Sequence, residues 1–288
     1  MEIGRVFSTS FAMFRQRFWL LLGMVLVFFA IQMAASTVIG IAVMAVGVAG
    51  MGGLGAGLED PGALAGLGVG MILLMVLLYG AYIVLLLAQQ AAMVTIASPL
   101  EDASFGAAMT RGFRSALPFF GITILLVLGY LALTLVLGLV VAAVGGAGGG
   151  GGLLSGAMTL LFVPVLLYLA CRFAILVPVV AVDQVFNPIR AIRRSWAVTR
   201  GKVGPILLAL IGFIVLTVVA FGIPLGVIFG GAMAGDGGIE SAIGLVAIGA
   251  LLFIPLLIGY TMYAAAFTAA LHCEVTGGGA ERLEEVFA

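Results

Sequence analysis

Apolar residues run through this chain in six long blocks: Phe18 to Gly50, Leu67 to Ser98, Leu117 to Val144, Leu153 to Val182, Val203 to Met233 and Ile243 to Cys273. A helix needs about 20 apolar residues to cross a hydrocarbon core about 30 Å thick, so every block is long enough. The longer ones can tilt or reach past the core. Three further segments carry a different pattern. Ile3, Phe7, Phe11, Phe14 and Phe18 recur at helical spacing between polar residues, as do Phe105, Met109, Phe113 and Leu117, and then Ile189, Ile192 and Trp196. Each segment precedes an odd-numbered block and carries arginine, the make-up of a helix lying in the headgroup layer. Helical extensions of the spans would look the same in sequence. Asn187-Pro188 supplies a cap and a first-turn proline for the third segment. Gly201 and Pro205 favour a break before the fifth block, and Pro118 does so less clearly before the third.

Composition turns six apolar blocks into a membrane protein. Of 288 residues, 64% are hydrophobic and 8% charged, and the mean hydropathy is +1.35. A water-soluble domain carries about 25% charged residues, so lipid is the solvent that fits. The net charge is zero, but its distribution is not even. Arg5, Arg15 and Arg17 precede the first block, and Arg111 and Arg114 lie between the second and third. Arg190, Arg193, Arg194, Arg200 and Lys202 lie between the fourth and fifth, and Arg282 follows the sixth. The other three loops hold Glu59, Asp60, Asp236 and Glu240 and no Lys or Arg. The positive-inside rule then puts every basic segment, and both termini, in the cytoplasm. The first block exceeds the 7–15 or so residues of a signal-peptide core, so Met33-Ala34-Ala35-Ser36 reads as part of a span. The expected class is an all-α, polytopic protein with six transmembrane helices.

The blocks also repeat. Ser10-Phe11-Ala12-Met13-Phe14-Arg15-Gln16-Arg17 aligns with Ser195-Trp196-Ala197-Val198-Thr199-Arg200-Gly201-Lys202 at an offset of 185. Phe113-Arg114 stands for Phe14-Arg15 in a more degenerate middle copy. Phe162-Val163-Pro164 and Phe253-Ile254-Pro255 are 91 apart. That offset pairs Asp183 with Glu274, one of 82 pairs Asp183 with Glu101, and together they make Gln90, Arg172 and Tyr263 equivalent. The reading is one membrane domain, 1–288, with repeats near 1–100, 101–183 and 184–275 and a tail at 276–288. Each repeat is an amphipathic helix followed by a helical hairpin.

Candidate chemistry is sparse. Metal-dependent hydrolysis needs several carboxylates and usually histidines around one cation. Here His272 is the only histidine and no acid lies deep in a span, so neither a catalytic nor a metal site is expected. His272 reads as an interfacial polar cap, and Cys171 and Cys273 as small apolar packers. The glycine run at 145–152 lacks the Gly-Lys-Ser/Thr ending of a phosphate loop and reads as a flexible hairpin linker. Gly66-Gly70 and Gly226-Gly230 have the spacing that lets membrane helices approach closely. No basic domain with interleaved aromatics points to nucleic acid. Arg172 stands out. It precedes Asp183 by eleven residues, about 16 Å of straight helix, which is near mid-membrane if Asp183 marks the boundary. A charge there is costly and reads first as a clamp between helices, then as a site for an anionic headgroup or solute, since intramembrane charge is a functional hint by default, and last as a snorkelling side chain. Its expected partners are Gln90 and Tyr263, with Gln89, Tyr168 and carbonyls freed by Pro164 and Pro178 as further choices.

The run Arg172-Phe-Ala-Ile-Leu-Val-Pro-Val-Val, followed by Asp183, Asn187-Pro188 and Ala191-Ile-Arg-Arg-Ser-Trp-Ala-Val-Thr-Arg-Gly201, resembles a known signature. It is similar to that of the bacterial membrane domain joined to glycerophosphoryl diester phosphodiesterases, and to that domain's stand-alone six-span relatives. The motif covers about forty residues, and the layout covers the chain. The resemblance implies a fold and a bacterial inner-membrane setting, with catalysis left to a separate soluble domain that has no counterpart here. The expected function is thus a non-enzymatic membrane component without cofactors. Through its basic cytoplasmic face (Arg15, Arg17, Arg111, Arg114, Arg190, Arg193, Arg194, Arg200 and Lys202) it engages membrane lipids, a protein partner or a soluble enzyme in trans. The alternative is a transporter or channel for a small anionic or lipidic solute using Arg172 and the polar cluster of Gln89, Gln90 and Tyr263.

Overall fold

The computed structural model describes residues 1–57, 61–145, 151–233 and 238–277. Among them the chain forms α1 (Ile3–Gln16), α2 (Phe18–Gly57), α3 (Pro61–Ala97), α4 (Phe105–Gly145), α5 (Gly151–Phe173), α6 (Leu176–Ala181), α7 (Pro188–Val198), α8 (Val203–Met233) and α9 (Gly238–Val275), with no strand. Six stretches are long and apolar enough to cross a membrane: Phe18–Ala45, Leu74–Ala97, Phe105–Val136, Val163–Ala181, Val203–Phe229 and Val246–Val275. The protein is an all-α polytopic membrane protein. Helices close their own backbone hydrogen bonds, so Ile211, Val215, Val218 and Ile223 on α8 can stand exposed as a lipid-facing surface.

Two elements differ from the periodicity. The second amphipathic segment is not a separate helix: α4 runs unbroken from Phe105 through Pro118 into the third span. By contrast Arg17, with φ −108° and ψ 20°, interrupts the chain between α1 and α2. Gly201, at φ +75°, turns the chain between α7 and α8, a conformation a residue with a Cβ adopts at a cost. The fourth span, conversely, is broken. Its helix stops at Phe173 and restarts at Leu176, because Pro178 has no N–H and its ring clashes with the carbonyl four residues back. Asn187 caps α7 as its sequence predicts, its side-chain oxygen accepting from the Ile189 and Arg190 amides at 3.1 Å each, with Pro188 in the first turn.

Helices α3, α6 and α9 meet pairwise. The basic segments pack around them: α1 on α9, the start of α4 on α3, and α7 on α6. Ile175, Val179, Phe267 and Leu271 are buried in one cluster with Val6 and Ile206. Met24, Phe28, Ala92, Ile96 and Met262 are buried in another. The described core therefore lies at the basic end of the bundle. A close helix approach lies at Gly112 of α4, where a Cβ would stand 2.6 Å from the Ala88 carbonyl oxygen and 2.8 Å from the Ala92 Cβ. Gly226 makes no such approach, since nothing lies within 4 Å of a Cβ built there. The linker residues 146–150 and the side chains at Gly66, Gly70 and Gly230 lie outside the described residues.

Candidate functional site

The basic end is built from acid–arginine pairs between neighbouring segments. The three acids that the sequence aligns each meet an arginine of the segment packed beside them. Glu101 pairs with Arg111, Asp183 with Arg194 at 2.8 Å, and Glu274 with Arg5 at 3.9 Å, where the Glu2 amide also donates to Glu274 at 3.2 Å. The last pair closes the circle, tying the start of the chain to the end of the sixth span. Asp183 is the most enclosed, its side chain 8% exposed, with His272 Nε2 3.5 Å away on its other side. Burial pushes the Asp183 carboxyl up. The neighbouring His272 ring and the Arg194 guanidinium outweigh burial and hold it below the ordinary carboxylate range. The ionised form is the stable partner at neutral pH. Its contribution is complete above the ordinary carboxylate pKa and fades as pH falls through the lowered one.

Two basic residues do work that composition does not reveal. Arg17 donates to the carbonyls of Ile96 at 2.6 Å and Glu101 at 3.1 Å, and pairs with Asp102. Lys202, at the aligned position 185 residues on, donates to the Val275 carbonyl at 2.5 Å. Both cations thus satisfy backbone carbonyls at or just beyond a helix C-terminus, which the helix itself leaves open. The sequence aligns Arg17 with Lys202 but gives no sign of the carbonyls they meet.

Arg172 bonds to neither Gln90 nor Tyr263, contrary to expectation. Its Nη1 donates to the Trp196 carbonyl at 2.9 Å and to Thr199 Oγ1 at 3.4 Å. Its Nε and Nη2 both donate to the Tyr168 hydroxyl, at 3.0 and 2.7 Å. The guanidinium carbon lies 5.1 Å from the Tyr168 ring centre and 4.7 Å from that of Trp196, within cation–π range, and the residue is 7% exposed. Trp196 and Thr199 precede Val203, where the fifth apolar helix begins, so the charge sits level with the amphipathic segment. The 16 Å estimate presupposes a straight helix, and the break after Phe173 removes that premise. The break also leaves the Arg172 carbonyl to accept from Ser195 Oγ at 2.6 Å, which docks α7 directly on this turn.

The other members of the expected polar cluster lie elsewhere. Gln89 accepts from the Gln32 amide at 2.6 Å, bridging α3 to α2. Gln90 lines a hollow of about 350 Å³ between α3 and α9, with Thr261 and Thr268. Tyr263 packs edge-on to Phe14 and stacks on Phe213. The expected basic face divides as well. Arg17, Arg111, Arg194 and Lys202 are tied to acids or carbonyls. Arg114 is exposed and lies over the Phe186 ring at 5.6 Å. Arg15, Arg190, Arg193 and Arg200 are exposed and have no ion pair among the described residues. Arg190, Arg193 and Arg194 line an open hollow of about 510 Å³ on α7 with Val185, Ala197 and Val198, a surface suited to phosphate oxygens. Among the described residues, no group of three His, Cys, Asp or Glu side chains is placed to hold a metal ion. No protein-family model, curated protein or solved structure matches the chain.

Proposed function

We propose that this protein is a non-enzymatic component of a bacterial plasma membrane whose basic, cytoplasmic end holds to the anionic leaflet through α7. One observation carries the reading: Arg190, Arg193 and Arg200 stand exposed and unpaired among the described residues, on and just after a helix that also exposes Ile189 and Trp196. Apolar side chains beside free guanidinium groups are what a headgroup layer accepts. Three such charges contribute about 1 kcal/mol each near an anionic surface, before screening. The packing of Arg172 weighs against the alternative of a solute path through it, since its nitrogens are all bonded within the protein. A soluble enzyme acting in trans is the protein partner that the resemblance suggests.

The test is thermal unfolding of the full chain in mixed micelles. Anionic lipid should raise Tm more than zwitterionic lipid, since a ligand of the folded state stabilises it, and high salt should shrink the difference. The variant with Arg190→Gln, Arg193→Gln and Arg200→Gln together should lose that difference and keep its Tm in zwitterionic lipid. An unchanged difference in this variant would remove α7 as the contact.

A further inference from the structure

The offset that aligns Pro164 with Pro255 and Arg172 with Tyr263 also sets Tyr168 against Gly259, and the offset between the amphipathic segments sets Trp196 against Phe11. At the α5–α7 contact the Tyr168 ring fills the space beside Trp196, 5.9 Å between ring centres. At the corresponding α9–α1 contact Gly259 has no ring to offer, and nothing lies within 4 Å of a Cβ built there. What remains is a cleft of about 390 Å³ between α1, α8 and α9, walled by Phe11, Phe14, Ala220, Pro255, Gly259 and Tyr263 among others. That volume lies within the range of about 300–1,000 Å³ common to small-molecule sites.

The cleft is largely apolar, and a polar hollow adjoins it at Phe11. Phe11 shares that hollow with Ser8, Ala12, Arg15 and Gln16. Arg15 follows Phe11 by one helical turn, is exposed, and has no ion pair among the described residues. An apolar slot one helical turn from an unpaired cation at the end of a membrane bundle has the polarity of an anionic amphiphile. We propose that this cleft holds an acyl chain of one anionic phospholipid, with its phosphate against Arg15. This goes beyond the surface attraction assigned to α7: it is a single-molecule site on other helices, and either can fail without the other.

Native mass spectrometry of the full chain, with phosphatidylglycerol or phosphatidylcholine added in detergent, tests it. We expect one phosphatidylglycerol per chain to survive activation that strips the remaining lipid, and phosphatidylcholine to be retained several-fold less. Gly259→Leu and, from the α8 wall, Ala220→Leu each fill the cleft and should cut the retained adduct at least tenfold. Arg15→Gln should bring the two lipids to near-equal retention, whereas the triple α7 variant should keep the adduct. Equal retention of both lipids by the unaltered chain would overturn the proposal. So would an undiminished adduct in a monodisperse Gly259→Leu or Ala220→Leu protein. A dimer that either variant dissociates would assign the cleft to a second copy instead.

Discussion

Arg172 is held by the shape of its guanidinium as much as by its charge. Its nitrogens reach a phenol, a backbone carbonyl and a threonine hydroxyl, while its guanidinium carbon lies over two aromatic rings. Lysine carries the charge but neither the plane nor the fork. A bare charge stranded in lipid would make Arg172→Leu harmless. With these contacts, we expect Arg172→Leu and Arg172→Lys each to cost about 1–3 kcal/mol, because the Trp196 carbonyl and Tyr168 hydroxyl lose their donor. Thermal unfolding in detergent reads the effect, and a Lys variant with native Tm would contradict it. The sequence marks Arg172 as the exceptional charge and Tyr168, one turn away, as a possible partner. Trp196 and Thr199 lie 24 and 27 residues on. No periodicity brings them near, since their approach depends on how α7 folds back over the break after Phe173.

Among the elements, proline alone does not decide where a helix ends. Pro118 stays inside α4, and Pro164, Pro224 and Pro255 inside their helices, whereas the chain breaks before Pro178. At Pro178 the break is supported from outside, by the Ser195 hydroxyl on the Arg172 carbonyl. The unbroken α4 lies tight on α3 because Gly112 has no side chain to hold them apart. Gly112→Ala would press a methyl group onto backbone and should cost about 1–3 kcal/mol, as overpacking does. Gly129→Ala in the same helix meets nothing within 4 Å and should be neutral or slightly stabilising. Equal Tm values for the two variants would mean that α4 can slide off α3 without loss.

For the whole molecule, the acid–arginine pairs bring all the described basic segments to one end of the bundle, as one side of a membrane requires. Reporter fusions after Gly201 or Ala288 should therefore report cytoplasm, and those after Asp60, Gly149 or Asp236 the outside. A cytoplasmic signal from the Gly149 fusion would break the six-span topology at its centre. By itself the sequence determined the solvent, the number of spans, the cap and glycine turn that bound α7, and the end of the bundle that carries the charge. These follow from composition, run length and local backbone preference, which act over a few residues or one span at a time. Only the tertiary structure decided that Gln90 and Tyr263 make no bond to Arg172. It also decided that Arg17 and Lys202 meet the carbonyls of helix ends, and that a cleft opens where Gly259 aligns with Tyr168. Each of these depends on which helix faces which, and that is set by side-chain volumes and carbonyl directions summed over segments far apart in the chain.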